Sequence, residues 1–177
     1  MNQEKSTTAE AAAAVQPFVI TRTLNAPRDL VWKAWTEPER LAQWWGPKGC
    51  TIKVHQLDLR PGGIFHYTMS FPGGGDDMWC RFAFREVTPP QRIVWVNSFS
   101  DAEGGITRPP FDDNWPLEIL NEVTLTEENG KTQLTLHATP INATAEEVQT
   151  FDTNRASLNQ GYSGTWDQLE EYLASIA

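Results

Sequence analysis

The chain has 177 residues, 40% of them hydrophobic and 21% charged, with a net charge of −9. This fits one globular domain and excludes a disordered chain, a collagen and a coiled coil. No apolar run approaches the ~18–20 residues of a membrane span. The acidic balance, with basic residues scattered singly as at Arg22, Lys33, Lys53 and Arg85, argues against nucleic-acid backbones and anionic membranes as partners.

Residues 1–16 are read as a disordered tail, with at most a transient helix at Glu10–Val15, and residues 17–177 as one domain. The tail lacks the apolar core of a secretory signal, so the expected location is cytoplasmic. Phe18 to Leu24 is short and rich in β-branched residues between Pro17 and Pro27, and is expected to be a strand. It also suits the seam of a homodimer. Pro27 and Asp29 then open a helix carrying Leu30, Val31, Ala34 and Trp35 at helical spacing. Thr36-Glu-Pro-Glu39 has the form of a capping box for a second, short helix that Gly46 and Pro47 end. Its Trp44 and Trp45 would point about 100° apart on a helix of 3.6 residues per turn, one inward and one beside an opening.

The middle of the chain is β-rich. Strands are expected over Thr51–Leu59, Ile64–Phe71, Trp79–Val87, Arg92–Phe99, Glu118–Thr126 and Thr132–Thr139. Pro61-Gly62, Pro89-Pro90 and Glu128-Asn-Gly130 supply turns. Phe65, Tyr67 and Met69 alternate onto one face, leaving His66 on the other and directed to solvent. Ser100 to Pro116 has no periodicity. A connection of that length suits a lid, and Phe111 and Trp115 are expected to fold over the sheet edge or a pocket mouth. Ala143 to Ile176 keeps a helical period after a Thr144–Glu147 capping box, with a break allowed near Asn154 or Gly161. Strands running consecutively through short turns make the sheet antiparallel.

The eight Trp, eight Phe and three Tyr concentrate the chemistry. Trp79, Phe82, Phe84 and Trp95 on neighbouring strands, with Phe65, Tyr67 and Met69, face Tyr162 and Trp166 on the last helix. Two readings stand: a solid aromatic core, or an aromatic-lined pocket that Trp45, Phe111 and Trp115 border. Cys50 and Cys80 are thirty apart, outside any CxxC, and read as reduced thiols. His55, His66 and His137 lie on three different strands and are not expected to share a metal. No nucleophile elbow, Walker loop or dinucleotide fingerprint is present, so no cofactor is expected. Glu86 and Glu118 are the carboxylates expected nearest the sheet interior.

Several segments in collinear order resemble a known family. They include Arg22-Thr-Leu-Asn-Ala-Pro27, Val31-Trp-Lys-Ala-Trp-Thr36, Pro38-Glu-Arg-Leu-Ala-Gln-Trp-Trp-Gly-Pro47, Asp58-Leu-Arg-Pro-Gly-Gly63 and Arg85-Glu-Val-Thr-Pro-Pro-Gln-Arg-Ile-Val94. Gln160-Gly-Tyr-Ser-Gly-Thr-Trp-Asp-Gln-Leu169, with Tyr172-Leu173, completes the set. Together they are similar to the AHSA-type domains, homologues of the C-terminal domain of the activator of the ninety-kilodalton heat-shock protein ATPase, within the START-like (SRPBCC) superfamily. The resemblance implies an α+β helix-grip fold: an antiparallel sheet of about six or seven strands curved around a long C-terminal helix, with a hydrophobic cavity between them. Tyr162 stands where the family more often has Trp, and Trp166 where it more often has Leu.

The expected function is binding of a small hydrophobic or aromatic molecule without catalysis or cofactor. The pocket candidates are Trp45, Phe65, Tyr67, Met69, Trp79, Phe82, Phe84, Trp95, Phe111, Trp115, Tyr162 and Trp166. The alternatives are a cyclase, dehydratase or hydrolase using Glu86, Glu118 or Tyr67, and a chaperone-activator-like protein-binding module.

Overall fold

The computed structural model describes residues 15–176. The expected tail lies outside them up to residue 14. Eight strands form one sheet: β1 (Phe18–Leu24), β2 (Thr51–Leu57), β3 (Ile64–Ser70), β4 (Met78–Thr88), β5 (Arg92–Ser100), β6 (Ile106–Thr107), β7 (Ile119–Glu128) and β8 (Lys131–Pro140). Their order is β1-β8-β7-β5-β4-β3-β2, with β6 against β5. Every pairing is antiparallel, and β1 and β2 are the edges. Helices α1 (Arg28–Thr36) and α2 (Pro38–Trp44) lie between β1 and β2 in the chain, and α3 (Ala145–Thr153) and α4 (Arg155–Ile176) end it. The curved, unclosed sheet and the long last helix make the α+β helix-grip fold. No helix among the described residues is long and apolar enough to cross a membrane.

Alternation decides which side chains face the helices. Phe18, Ile20 and Leu24 on β1, Leu134, Leu136 and Ala138 on β8, and Ile119, Val123 and Leu125 on β7 are all buried. Asn129 and Gly130 both take positive φ (54° and 76°) in the β7–β8 hairpin, which is why Asn-Gly stands there. At Gly63 a Cβ would lie 2.0 Å from the Asp58 carbonyl oxygen, so the Asp58–Gly63 turn closes only around a glycine.

Two helix starts part ways. Thr144 caps α3 as expected, its hydroxyl accepting from Glu147 N and its own N–H donating to the Glu147 carboxylate. Thr36 caps nothing. It is the last residue of α1, and its hydroxyl donates to the Trp32 carbonyl at 2.8 Å. Glu37 becomes the N-cap of α2, with no side-chain cap bond and Pro38 behind it. The C-terminal helix breaks at Asn154, where ψ is 15° and the side-chain amide donates back to the Thr150 carbonyl at 2.7 Å. It does not break at Gly161, which lies inside α4.

The helices meet the sheet in a cluster of indoles. The Trp35 ring lies 4.9 Å from Trp44, 5.6 Å from Trp45, 5.7 Å from Trp95 and 5.8 Å from Trp166, centroid to centroid. Trp95 stacks on Phe82 at 4.7 Å. Trp44 donates its indole N–H to the Ala34 carbonyl, tying α2 to α1. Trp44 turns into the core and Trp45 borders the cavity, as expected, yet Trp45 is buried as well because it is the C-cap of α2, with extended backbone (φ −68°, ψ 143°). Polar ties then fix α4. Thr165 and Gln168 both donate to the Gly46 carbonyl, at 3.1 and 2.6 Å. On β1, Arg22 reaches Asp167 at 2.9 Å and Glu170 at 3.2 Å.

Trp35→Ala should therefore cost about 3–5 kcal/mol in urea unfolding, as expected for emptying a large aromatic site. Thr144→Ala, which removes only the α3 cap, should cost about 1 kcal/mol.

Candidate functional site

The same inward-facing positions that carry rings around Trp35 carry smaller groups farther along. On the sheet the lining passes to Ala138 and Asn97, and on the helices to Ser157, Gly161 and Thr165. Held off by the indoles at one end, helix and sheet leave between them a partly open cavity of about 410 Å³, within the ~300–1,000 Å³ usual for small-molecule sites. Tyr67, Met69, Cys80, Phe99 and Ile119 form its sheet wall, and Phe151, Leu158 and Tyr162 its helix wall. Trp45, Gly46 and Pro47 close one end, and Phe111 and Trp115 border it from the strap that joins β5 to β7. No Asp, Glu, Lys, Arg or His is among the lining residues.

The twelve aromatic and apolar candidates thus divide by position. Trp45, Tyr67, Met69, Phe111, Trp115 and Tyr162 line the cavity. Phe65, Phe82, Phe84, Trp95 and Trp166 are buried in the solid part of the core. Trp79 belongs to the other face. It is an odd-numbered residue on β4, paired with Thr68 and Ser100, whereas Cys80, Phe82 and Phe84 alternate inward. Its ring packs instead against His55 at 4.5 Å and His66 at 4.7 Å. His66 does occupy the outer face but is not directed to solvent. It is 8% exposed, and its Nε2 lies 3.2 Å from Ser100 Oγ and 3.0 Å from the Asp101 carbonyl. Among the described residues no three potential ligands gather to hold a metal.

The carboxylates expected near the interior lie elsewhere. A bulge between Phe84 and Glu86 reverses the alternation, so Glu86 pairs with Val94 on the outer face. There it binds Arg92 at 3.0 Å and accepts from Thr88. Glu118 accepts from the Asn142 amide at 3.3 Å and does not line the cavity.

The titratable groups that do line it are held neutral. Tyr67 is 3% exposed, and burial pushes its hydroxyl well above its ordinary range. The Cys80 thiol beside it and the Tyr162 hydroxyl across the cavity are each pushed up to about 12 by burial. Cys80 and Cys50 are both free thiols. The Tyr162 hydroxyl donates to Asn121 Oδ1 at 3.3 Å. The Trp45 indole N–H approaches the Tyr67 hydroxyl without reaching hydrogen-bond geometry, so it is left without a partner. None of these groups is a base at ordinary pH; they offer hydrogen bonds.

The strap was expected to be irregular, yet it contains β6 and is pinned at both ends. At its root His66 holds Asp101, and Arg81 donates to the Gly104 carbonyl at 2.7 Å. Farther on, Arg108 donates to the Trp115 carbonyl at 3.0 Å and to Glu147 at 2.9 Å. Glu147 is 5% exposed on α3. Trp115 lies 6.0 Å from Phe151, and Phe111 lies 5.7 Å from Phe99 while remaining 66% exposed.

Arg108→Ala should lower stability by about 1–3 kcal/mol, since it strips a buried carboxylate of its partner. Amide exchange should rise first across residues 101–117, read by mass spectrometry. The two cavity tyrosines make a second, alkaline prediction. Their folded-state values lie above the ordinary 10 that the unfolded chain has. The native state then keeps protons that the unfolded state gives up, so the tyrosine contribution is full below pH 10 and is lost as the pH rises through about 12, with the Cys80 thiol adding to the loss from its ordinary 9 upward. Urea midpoints across that window should decline, and less steeply in Tyr162→Phe.

Comparisons with known proteins agree with this architecture. A protein from Nitrosomonas europaea, NE0264, is 29% identical and superposes with a TM-score of 0.72 over 92% of this chain and 97% of its own. Ms6760 from Mycobacterium smegmatis is 27% identical, with a TM-score of 0.71 over 90% and 91%. The Silicibacter pomeroyi AHSA1 protein SPO3351, at 18% identity and a TM-score of 0.68 over 92% and 100%, shares the fold. No curated protein matches. Residues 25–174 match the family described as "Activator of Hsp90 ATPase homolog 1-like protein", and it is to this family, within the AHSA-type SRPBCC proteins, that the chain belongs.

Proposed function

We propose that the chain binds a small, neutral, hydrophobic or aromatic molecule in the cavity between the sheet and α4, and holds it without covalent chemistry. One observation carries this reading: a cavity of about 410 Å³, partly open to solvent, without a charged residue in its lining. A charged ligand would lose its hydration there and find no counter-charge, which is costly. A flat apolar one would exchange water for aromatic and aliphatic walls. Membership of the family supports a ligand-binding or activator-like module in general. The activator-like reading has less behind it: of the large exposed apolar residues, Val19 lies on β1, Phe71 just beyond β3, and only Ile106 and Phe111 share a segment, the strap.

The test is a titration of the full chain with a panel of fatty acids, sterols and flat aromatics, followed by tryptophan emission and melting temperature. Neutral aromatics such as fluorene should quench or shift the emission. At a hundredfold excess over Kd they should add about 2.7 kcal/mol of stability. Fluorene carboxylates should bind at least tenfold more weakly, because a carboxylate must shed its water. Unchanged emission and melting across the panel would overturn the proposal.

A further inference from the structure

We infer that the ligand carries a hydrogen-bond acceptor, a carbonyl or ether oxygen, and that Tyr67 is the residue that selects it by donating its hydroxyl proton. This rests on the cavity reading above and adds to it which chemical group the ligand must present and where.

Tyr67 is placed with little freedom. It lies in the middle of β3, paired with Val54 on one side and Cys80 on the other, and its side chain alternates inward. Its ring stacks on Phe65 at 4.4 Å with an interplanar angle of 17° and meets the edge of Phe82 at 5.7 Å. A ring clamped in this way presents its hydroxyl at one spot on the cavity wall, and a preorganised polar group in an apolar site discriminates among ligands.

The surroundings of that hydroxyl are one-sided. The Trp45 indole N–H and the Cys80 thiol are its near polar neighbours, with the Tyr162 hydroxyl on the opposite wall. An indole nitrogen only donates, and a thiol sulfur is a weak acceptor. Neither takes the phenolic proton well, and among the described residues no oxygen is bonded to it. The hydroxyl on the opposite wall differs. Tyr162 already gives its proton to Asn121 Oδ1 at 3.3 Å. That amide is fixed in its turn, because Asn121 Nδ2 donates to the Ile119 carbonyl at 3.0 Å. Of the two phenols that line the cavity, Tyr67 has only the Cys80 sulfur, a weak acceptor, for its proton, and Tyr162 has an amide oxygen. A ligand that seats an oxygen at Tyr67 gives it a strong acceptor; one that seats a methylene there leaves it on the weak one.

The matched probes are 9-fluorenone and fluorene, which share size and flatness and differ in a carbonyl for a methylene. The wild-type chain should bind fluorenone about three- to tenfold more tightly, the range expected for one net hydrogen bond. Tyr67→Phe should erase or reverse that preference, with its urea midpoint and far-ultraviolet dichroism reporting that the fold is intact. Tyr162→Phe should keep the preference. Binding of both probes by the wild type with no preference for fluorenone, or a preference that survives in Tyr67→Phe, would overturn the inference and leave the cavity reading standing. Failure of both probes to bind the wild type would remove the two together.

Discussion

The structure depends on where the Trp35 ring sits. Its four indole neighbours come from different places: Trp44 from α2, Trp45 from the chain just beyond it, Trp95 from β5 and Trp166 from α4. One ring is thus the meeting point of both short helices, the sheet and the long helix. Indoles are bulky and rigid, so they set how far α4 stands off from the sheet at that end. Interiors tolerate few voids, but a helix cannot bend down wherever its side chains become smaller. Where the lining passes to Ala138, Ser157 and Gly161, the separation imposed by the tryptophans persists and the space stays open. The wedge between sheet and helix is full at one end and hollow at the other.

That division also explains the chemistry of the hollow end. Salt bridges occur around its periphery, as at Arg22 with Asp167 and Arg108 with Glu147, but the lining itself is uncharged. Polar character inside comes from phenols, a thiol, a threonine, two serines and asparagine amides. Two of these are committed elsewhere: the Thr165 hydroxyl to the Gly46 and Gly161 carbonyls, and Tyr162 to Asn121. Under the proposed function such an interior recognises shape and hydrogen-bond direction rather than charge.

Much of the fold was legible in the sequence because it rests on local physics. Period-two alternation marked the inward residues of β3, the Asn129-Gly130 turn marked its hairpin, and Thr144 with Glu147 marked the start of α3. What escaped reading was whatever alternation cannot register. The bulge before Glu86 turns a seemingly inward carboxylate outward, and the bulge at His55 does the same to β2. Trp79 was readable, since odd and even residues on one strand face opposite ways; grouping it with Phe82 and Phe84 by strand alone missed that. Thr36 does not cap α2 because it is the last residue of α1 and its hydroxyl is taken by the Trp32 carbonyl. As for the candidate site, composition indicated aromatic walls, but only packing distinguishes rings that touch each other from rings that border space.

The indole cluster has an optical consequence. Five tryptophans in edge or tilted contact, none more than 6.3 Å from a neighbour in the cluster, do not behave as separate chromophores. Excitation absorbed by any one of them migrates among the others before it is emitted. Trp45 is a member of this network and at the same time part of the cavity wall. A molecule that opens a non-radiative path at Trp45 therefore drains the whole assembly, and the fully enclosed tryptophans, which no ligand touches, become an antenna for the one that it does.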